Sequence, residues 1–66
     1  MYSLQQLKAL PTIGDSHFDN LKVETEVMRV WLSRSDVTDG EPYPNKVTIE
    51  ERVNGSWEIT NIYQAK

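Results

Sequence analysis

The first ten residues alternate apolar and polar positions in a pattern that predicts a short helix. Ser3 and Gln6 have the spacing of a capping box, in which the Ser3 hydroxyl accepts from the Gln6 amide and the Gln6 side chain reaches back. Three leucines share one face of such a helix: Leu4, Leu7 and Leu10. Because so short a helix is stable only when it is packed, we expect the leucines to lie on a β-sheet.

Residues 21–34 predict one long strand whose second half is apolar on both faces. Strand alternation places Arg29 and Trp31 on one face. The opposite face carries Met28, Val30 and Leu32. A helix over residues 24–32 is an alternative interpretation of the same pattern. The preceding residues 12–20 are mixed and polar, and they predict a connecting loop.

The strongest hairpin signal in the chain is Asn54-Gly55, flanked by two runs of alternating apolar and polar residues. A plain two-residue turn there would pair Ile49 with Thr60 and set apolar against polar side chains. We therefore predict a three-residue loop, residues 53–55, with a bulge at the glycine. This register places five side chains on the core side of the hairpin: Val47, Ile49, Trp57, Ile59 and Tyr63.

These elements predict an α+β fold in a single domain over residues 1–66. A short N-terminal helix packs on a three-stranded antiparallel sheet in the order α-β-β-β. Residues 35–46, here called the acidic loop, contain two prolines, a glycine and three acidic residues. A domain of 66 residues buries only about 60% of its unfolded surface, so a deep catalytic cavity is hard to house.

Composition narrows the classes of function. The chain has no cysteine, which excludes disulfides, thiolate metal sites and thiol catalysis, and we expect a cytoplasmic location. The N-terminus lacks the continuous apolar stretch of a signal peptide, and no segment is apolar for long enough to span a membrane. The net charge of −3 opposes binding to a phosphate backbone. We expect no cofactor, no membrane and no small-molecule substrate.

Candidate catalytic and metal-ligating residues are few. The glycines are isolated, so neither a phosphate-binding loop nor a dinucleotide motif is present. Any general acid or base chemistry of the usual kind must use His17, the single histidine. Asp15, His17 and Asp19 stand at alternate positions and could present oxygen and nitrogen ligands to a divalent metal. Short polar loops contain such residues routinely, so we expect a solvated loop, no metal site and no enzyme.

A three-stranded sheet with one short helix can cover only one of its faces, so part of the long strand should remain near solvent. Trp31 is a candidate for that exposed position, whereas Trp57 is expected in the core. Tyr43, between two prolines, is a candidate contact residue of the acidic loop. The candidate partner-binding residues are Met28, Arg29, Val30, Trp31, Leu32, Arg34, Asp36, Asp39, Glu41 and Tyr43.

The predicted function is a small non-catalytic protein-binding module whose partner is either another protein or a second copy of the chain in a homodimer. It would use the exposed face of residues 21–34 and the acidic loop. One alternative is a small acidic regulator or inhibitor of a host enzyme, of the kind that phages and mobile elements encode. Another is a sheet-based nucleic-acid-binding domain, with stacking by Trp31 or Tyr43. Its basic residues would be Arg29, Arg34, Lys46 and Arg52, but the net acidity weighs against it.

Overall fold

The computed structural model describes residues 1–16, 19–33 and 46–65, which form one short helix and a five-stranded antiparallel sheet. The sheet order follows the chain, so each strand pairs with its neighbours in sequence. The elements are α1 (Leu4–Ala9), β1 (Gly14–Ser16), β2 (Asp19–Glu24), β3 (Met28–Ser33), β4 (Lys46–Val53) and β5 (Ser56–Gln64). The predicted combination of an N-terminal helix with an antiparallel sheet is confirmed, whereas the prediction of three strands is wrong.

The capping box at the start of α1 is confirmed. The Gln6 amide donates to Ser3 Oγ at 3.1 Å, and the Ser3 amide donates to Gln6 Oε1 at 2.9 Å. Leu7 is completely buried against the sheet. At the other end of the helix, Lys22 Nζ donates to the Leu10 carbonyl at 3.1 Å. This bond satisfies a carbonyl that a helix end leaves without an intrahelical partner, and it ties α1 to β2.

The region predicted as a loop, residues 12–20, contains a short strand and the start of another. β1 pairs with β2 in antiparallel register, and the Ile13 amide extends this ladder by donating to the Leu21 carbonyl at 2.9 Å. A strand of three residues is too short to show a periodic pattern, so its pairing is decided by the neighbouring strand rather than by its own sequence.

Residues 21–34 are not one strand, because the chain reverses between β2 and β3. Thr25 Oγ1 accepts hydrogen bonds from the amides of Val27 at 3.2 Å and Met28 at 3.0 Å, and the Thr25 amide donates to the Met28 carbonyl at 2.8 Å. The turn therefore depends on a threonine hydroxyl, and it contains none of the glycine, proline or asparagine residues that mark most turns. The prediction of a single long strand is wrong for this reason.

The β4–β5 hairpin has a two-residue turn rather than the predicted three-residue loop. Asn54 and Gly55 both have positive φ, 52° and 83°, and Val53 pairs with Ser56. Two successive residues with positive φ are typical of a type I′ turn, whose twist matches that of the strands. The predicted loop length is therefore wrong, although the dipeptide that forms the turn was identified.

The irregularity in this hairpin lies further along β5. Glu50 pairs with Ile59, but the preceding residue Ile49 pairs with Asn61, so Thr60 is an extra residue in β5. Such a bulge reverses the side-chain alternation of the strand. Thus Ile59 lies on the opposite face from Tyr63, and the predicted grouping of these two residues is wrong.

The core lies between α1 and one face of the sheet. Its buried apolar residues are Leu7, Val30, Leu32, Val47 and Ala65. Tyr63 packs against this cluster, and its hydroxyl donates to the Tyr2 carbonyl at 2.9 Å. The alternation predicted for β3 is confirmed, since Val30 and Leu32 face the core. Trp57, which was expected in the core, is absent from the cluster because it precedes the bulge.

Candidate functional site

The sheet face opposite α1, which includes the exposed Ile59 and Ile62, is called the open face. Part of it is covered, since Leu21 and Thr48 share this face with Trp31 and are buried. It carries Arg29, Trp31, Thr48, Glu50, Arg52, Trp57, Ile59 and Ile62. The strand register arranges these side chains in rows across β3, β4 and β5. Arg29, Glu50 and Ile59 form one row, and the next row contains Trp31. Neighbours within a row are close enough for their side chains to interact.

Glu50 connects Arg29 and Trp31 near the middle of the open face. Its Oε1 accepts a hydrogen bond from Trp31 Nε1 at 2.6 Å and lies 3.1 Å from Arg29 Nε. The contact with Arg29 is an ion pair without hydrogen-bond geometry, since Arg29 Nε is buried and has no hydrogen-bond partner. The side chains of Arg29 and Glu50 are only 23% and 19% exposed, so water screens this pair less than a surface pair.

Both arginines of the open face lie over the ring of Trp57. The guanidinium carbon of Arg29 is 4.0 Å from the ring centroid, and that of Arg52 is 4.7 Å from it. Arg29 is also 5.8 Å from the centroid of Trp31. These distances are within the range of cation–π attraction, which strengthens when the groups are partly shielded from water. The contacts restrict the rotamers of Trp57 and Arg29.

Two isoleucines extend the cluster toward the sheet edge. Ile59 is 60% exposed and Ile62 is 55% exposed. They are three residues apart in β5, and regular alternation would place them on opposite faces; the extra residue Thr60 brings both to the open face. The bulge thus creates an exposed apolar strip beside the half-buried Trp31 and Trp57.

The open face also borders a shallow depression. Its volume is about 320 Å³, and its lining includes Asp19, Arg29, Trp31 and Glu50. The carboxylate of Glu50 is already engaged by two neighbours in this depression. Its shape resembles a groove in a contact surface more than the enclosed pocket of a small-molecule site.

The predicted partner-binding residues are divided by the structure into three groups. Arg29 and Trp31 lie on the open face, as described above. Val30 and Leu32 are 0% and 1% exposed, so they are core residues, and their prediction as contact residues is corrected. Met28 is partly buried against the same core. The helix covers that face of β3, which the sequence pattern alone could not determine. Arg34, Asp36, Asp39, Glu41 and Tyr43 lie outside the described residues, as does His17.

Three aromatic or apolar residues of the open face are not among the predicted partner-binding residues: Trp57, Ile59 and Ile62. The sequence pattern predicts that Trp57 and Ile59 point inward. A signal for their position is present in β5, where Ile62 and Tyr63 are adjacent and both apolar. Apolar residues at both odd and even positions of a half-buried strand indicate a bulge or two covered faces. The signal does not give the position of the bulge.

The described part of the chain contains no cluster of three or more metal-ligating side chains. Nor does it contain a helix that is long and apolar enough to cross a membrane. His17 lies outside the described residues, but Asp15 and Asp19 are described. Asp15 pairs with Asn20 and Asp19 pairs with Ser16, so strand alternation places the two carboxylates on opposite faces of the sheet, and they do not present ligands to one side.

Comparison with known proteins gives no match for this chain among protein-family models, curated proteins or solved structures. Its function is therefore inferred from its own residues.

Proposed function

We propose that this protein is a small non-catalytic protein-binding module and that the open face is its contact surface. The observation that carries the proposal is the exposed pair Ile59 and Ile62 beside the cluster of Trp31, Arg29 and Trp57. Single exposed apolar residues are ordinary in small proteins, but contiguous apolar surface is not. Tryptophan and arginine are also the residue types enriched at the energetic centres of protein interfaces.

The cluster on the open face is held in place before any partner binds. Trp31 is fixed by its hydrogen bond to Glu50, and Arg29 is fixed by Glu50 and by Trp57. These side chains stand on paired strands of the sheet. Ordering a free side chain at an interface costs about 0.5–1.5 kcal/mol, and much of this cost is avoided when the rotamer is already restricted.

A nucleic-acid partner is supported less well than a protein partner. Aromatic and arginine side chains on a sheet do form platforms for single-stranded nucleic acid. Here, however, the Trp57 ring is already occupied by both guanidinium groups, and Arg29 is neutralised by Glu50. The net charge of −3 adds repulsion from phosphate. A regulator of a host enzyme would be one form of protein binding, and its main motivation, the acidic loop, lies outside the described residues.

Site-specific photo-crosslinking in the cells that make the protein tests the proposal. A photo-reactive phenylalanine derivative replaces Ile59 in one variant and Ile62 in a second. We expect protein adducts at both positions, because both side chains project from the open face. The control variant carries the same amino acid at Gln5, which is exposed on α1, away from the open face.

Competition makes the result specific. Excess wild-type chain should suppress adducts to a different protein, whereas the Ile59→Glu/Ile62→Glu chain should not, since glutamate would place charge in an apolar contact. Adducts of equal yield at Gln5 and at Ile59 would contradict the proposal. Adducts that nuclease treatment removes would favour the nucleic-acid alternative instead.

A further inference from the structure

We propose that the partner of the open face is a second copy of this chain, so that two sheets pack face to face in a two-fold symmetric homodimer. The inference rests on the proposed function, because it names the partner of the same surface. Charge balance, core size and contact area favour a second copy over an unrelated protein.

The charges of the open face and its borders balance within the described residues. The acidic side chains are Asp19, Glu24 and Glu50, and the basic ones are Arg29, Lys46 and Arg52. In a symmetric dimer each surface meets itself, so a surface of one sign would repel its copy. This balanced surface meets its copy without such repulsion. A surface without net charge provides little long-range attraction for a strongly charged partner.

The core of one chain is small. Four side chains are both large and fully buried in the described structure: Leu7, Leu32, Val30 and Val47. A domain of this size obtains only about 3–5 kcal/mol from its core, and natural scaffolds of this size add disulfides, a metal or oligomerisation. The chain has no cysteine, so disulfides are excluded. Packing two open faces together would add a second apolar layer of Trp31, Trp57, Ile59 and Ile62 from each copy, as in a β-sandwich.

The size of the open face fits a weak dimer. The four strands β2 to β5 lie about 4.8 Å apart and are six to nine residues long, so they present a face of about 400–600 Å² per copy. Stable interfaces bury about 600–1,000 Å² per partner, so this face reaches the lower end of that range. Dissociation constants in the micromolar range are expected for such a contact, and the oligomeric state should therefore depend on protein concentration.

Sedimentation equilibrium of the purified full chain, from about 1 µM to about 1 mM, tests the inference across the expected range of dissociation constants. The wild-type chain should pass from monomer to dimer within this range. Ile59→Glu and Ile62→Glu should each weaken dimerisation at least tenfold. Ile13→Glu provides the matched control, since Ile13 is 53% exposed but lies outside the open face; it should leave the dimerisation constant unchanged. Far-UV circular dichroism establishes that each variant is folded.

The contact can also be located directly. A mixture of isotopically labelled and unlabelled chains should show intermolecular nuclear Overhauser effects between the Trp57 ring and the methyl groups of Ile59 or Ile62. Intermolecular effects confined to the backbone of β5 would indicate edge-to-edge pairing and would overturn the face-to-face arrangement. A dimer that Ile59→Glu and Ile62→Glu leave intact would overturn it as well.

The two proposals fail separately. A chain that stays monomeric at the highest concentration overturns the inference of a second copy. In that case photo-crosslinking at Ile59 and Ile62 to a different protein still supports the proposed function, whereas the absence of any specific adduct overturns both. Adducts whose mass equals that of two chains, together with a concentration-dependent dimer, support both.

Discussion

At the scale of single residues, Glu50 organises the open face. One of its two carboxylate oxygens, Oε1, contacts both the Trp31 indole nitrogen and Arg29 Nε. Arg29 in turn lies over the ring of Trp57. Because these groups are partly buried, a donor that loses this oxygen regains little hydration. Arg29 and Trp31 are thus positioned by one acidic residue that is itself mostly shielded from solvent.

Replacing this carboxylate should lower stability. Glu50→Ala removes the acceptor of Trp31 Nε1 and the counter-charge of Arg29, and we expect the free energy of unfolding to fall by about 1–3 kcal/mol. Glu50→Gln keeps an acceptor oxygen and should cost less. Urea unfolding followed by far-UV circular dichroism at low protein concentration measures both.

The control is Glu26→Ala, at an exposed turn position, with an expected change within about 0.5 kcal/mol. Equal stability of the Glu50→Ala and Glu26→Ala chains would refute this role of Glu50.

At the scale of elements, two local irregularities determine which side chains face outward. The hydroxyl of Thr25 closes the turn between β2 and β3, and the extra residue Thr60 reverses the alternation of β5. Without the turn, β2 and β3 could not be antiparallel neighbours. Without the bulge, Ile59 and Ile62 could not both lie on the open face while Tyr63 packs in the core.

The turn provides a matched pair of variants. Thr25→Val is nearly isosteric but removes the acceptor for the amides of Val27 and Met28, so we expect a loss of about 0.5–1.5 kcal/mol. Thr25→Ser keeps the hydroxyl and should retain most of the stability. Amide hydrogen exchange gives the local readout, with faster exchange at Met28 in the valine variant only. Unchanged protection of Met28 in Thr25→Val would show that the hydroxyl does not hold the turn.

At the scale of the whole molecule, the fold depends on a narrow contact between α1 and the sheet. Leu7 is the one helix residue that is completely buried, and it lies against residues of β3 and β4 in the core cluster. The Tyr63–Tyr2 and Lys22–Leu10 hydrogen bonds fasten the two ends of the helical segment. The helix and the sheet therefore stabilise each other, since a six-residue helix is not stable alone.

Removal of the Leu7 side chain should unfold much of the population. A buried Leu→Ala substitution costs about 2–5 kcal/mol, which is comparable to the whole stability of about 3–5 kcal/mol expected for a core of this size. Loss of far-UV ellipticity and of dispersion in the amide spectrum at 25 °C measures the effect. Leu4→Ala, at a partly buried position of the same helix, should cost clearly less. An intact amide spectrum for Leu7→Ala would mean that the core is larger than the structure indicates.

The sequence by itself determined the features that depend on a few neighbouring residues. The spacing of Ser3 and Gln6 fixes the start of α1, and Asn54-Gly55 fixes the position of the hairpin turn, because capping and positive φ are local backbone effects. The alternation in β3 likewise separates Arg29 and Trp31 from Val30 and Leu32.

Only the tertiary structure decided which of two alternating sets faces the core. Val30 and Leu32 are buried because α1 covers their side of the sheet, and this cover comes from a distant part of the chain. Trp57 and Ile59 point outward because the bulge at Thr60 lets Tyr63 reach the core, and its position is set by pairing with β4. Alternation determines which residues of a strand share a face. Which of the two faces is buried depends on how the strands and the helix pack together.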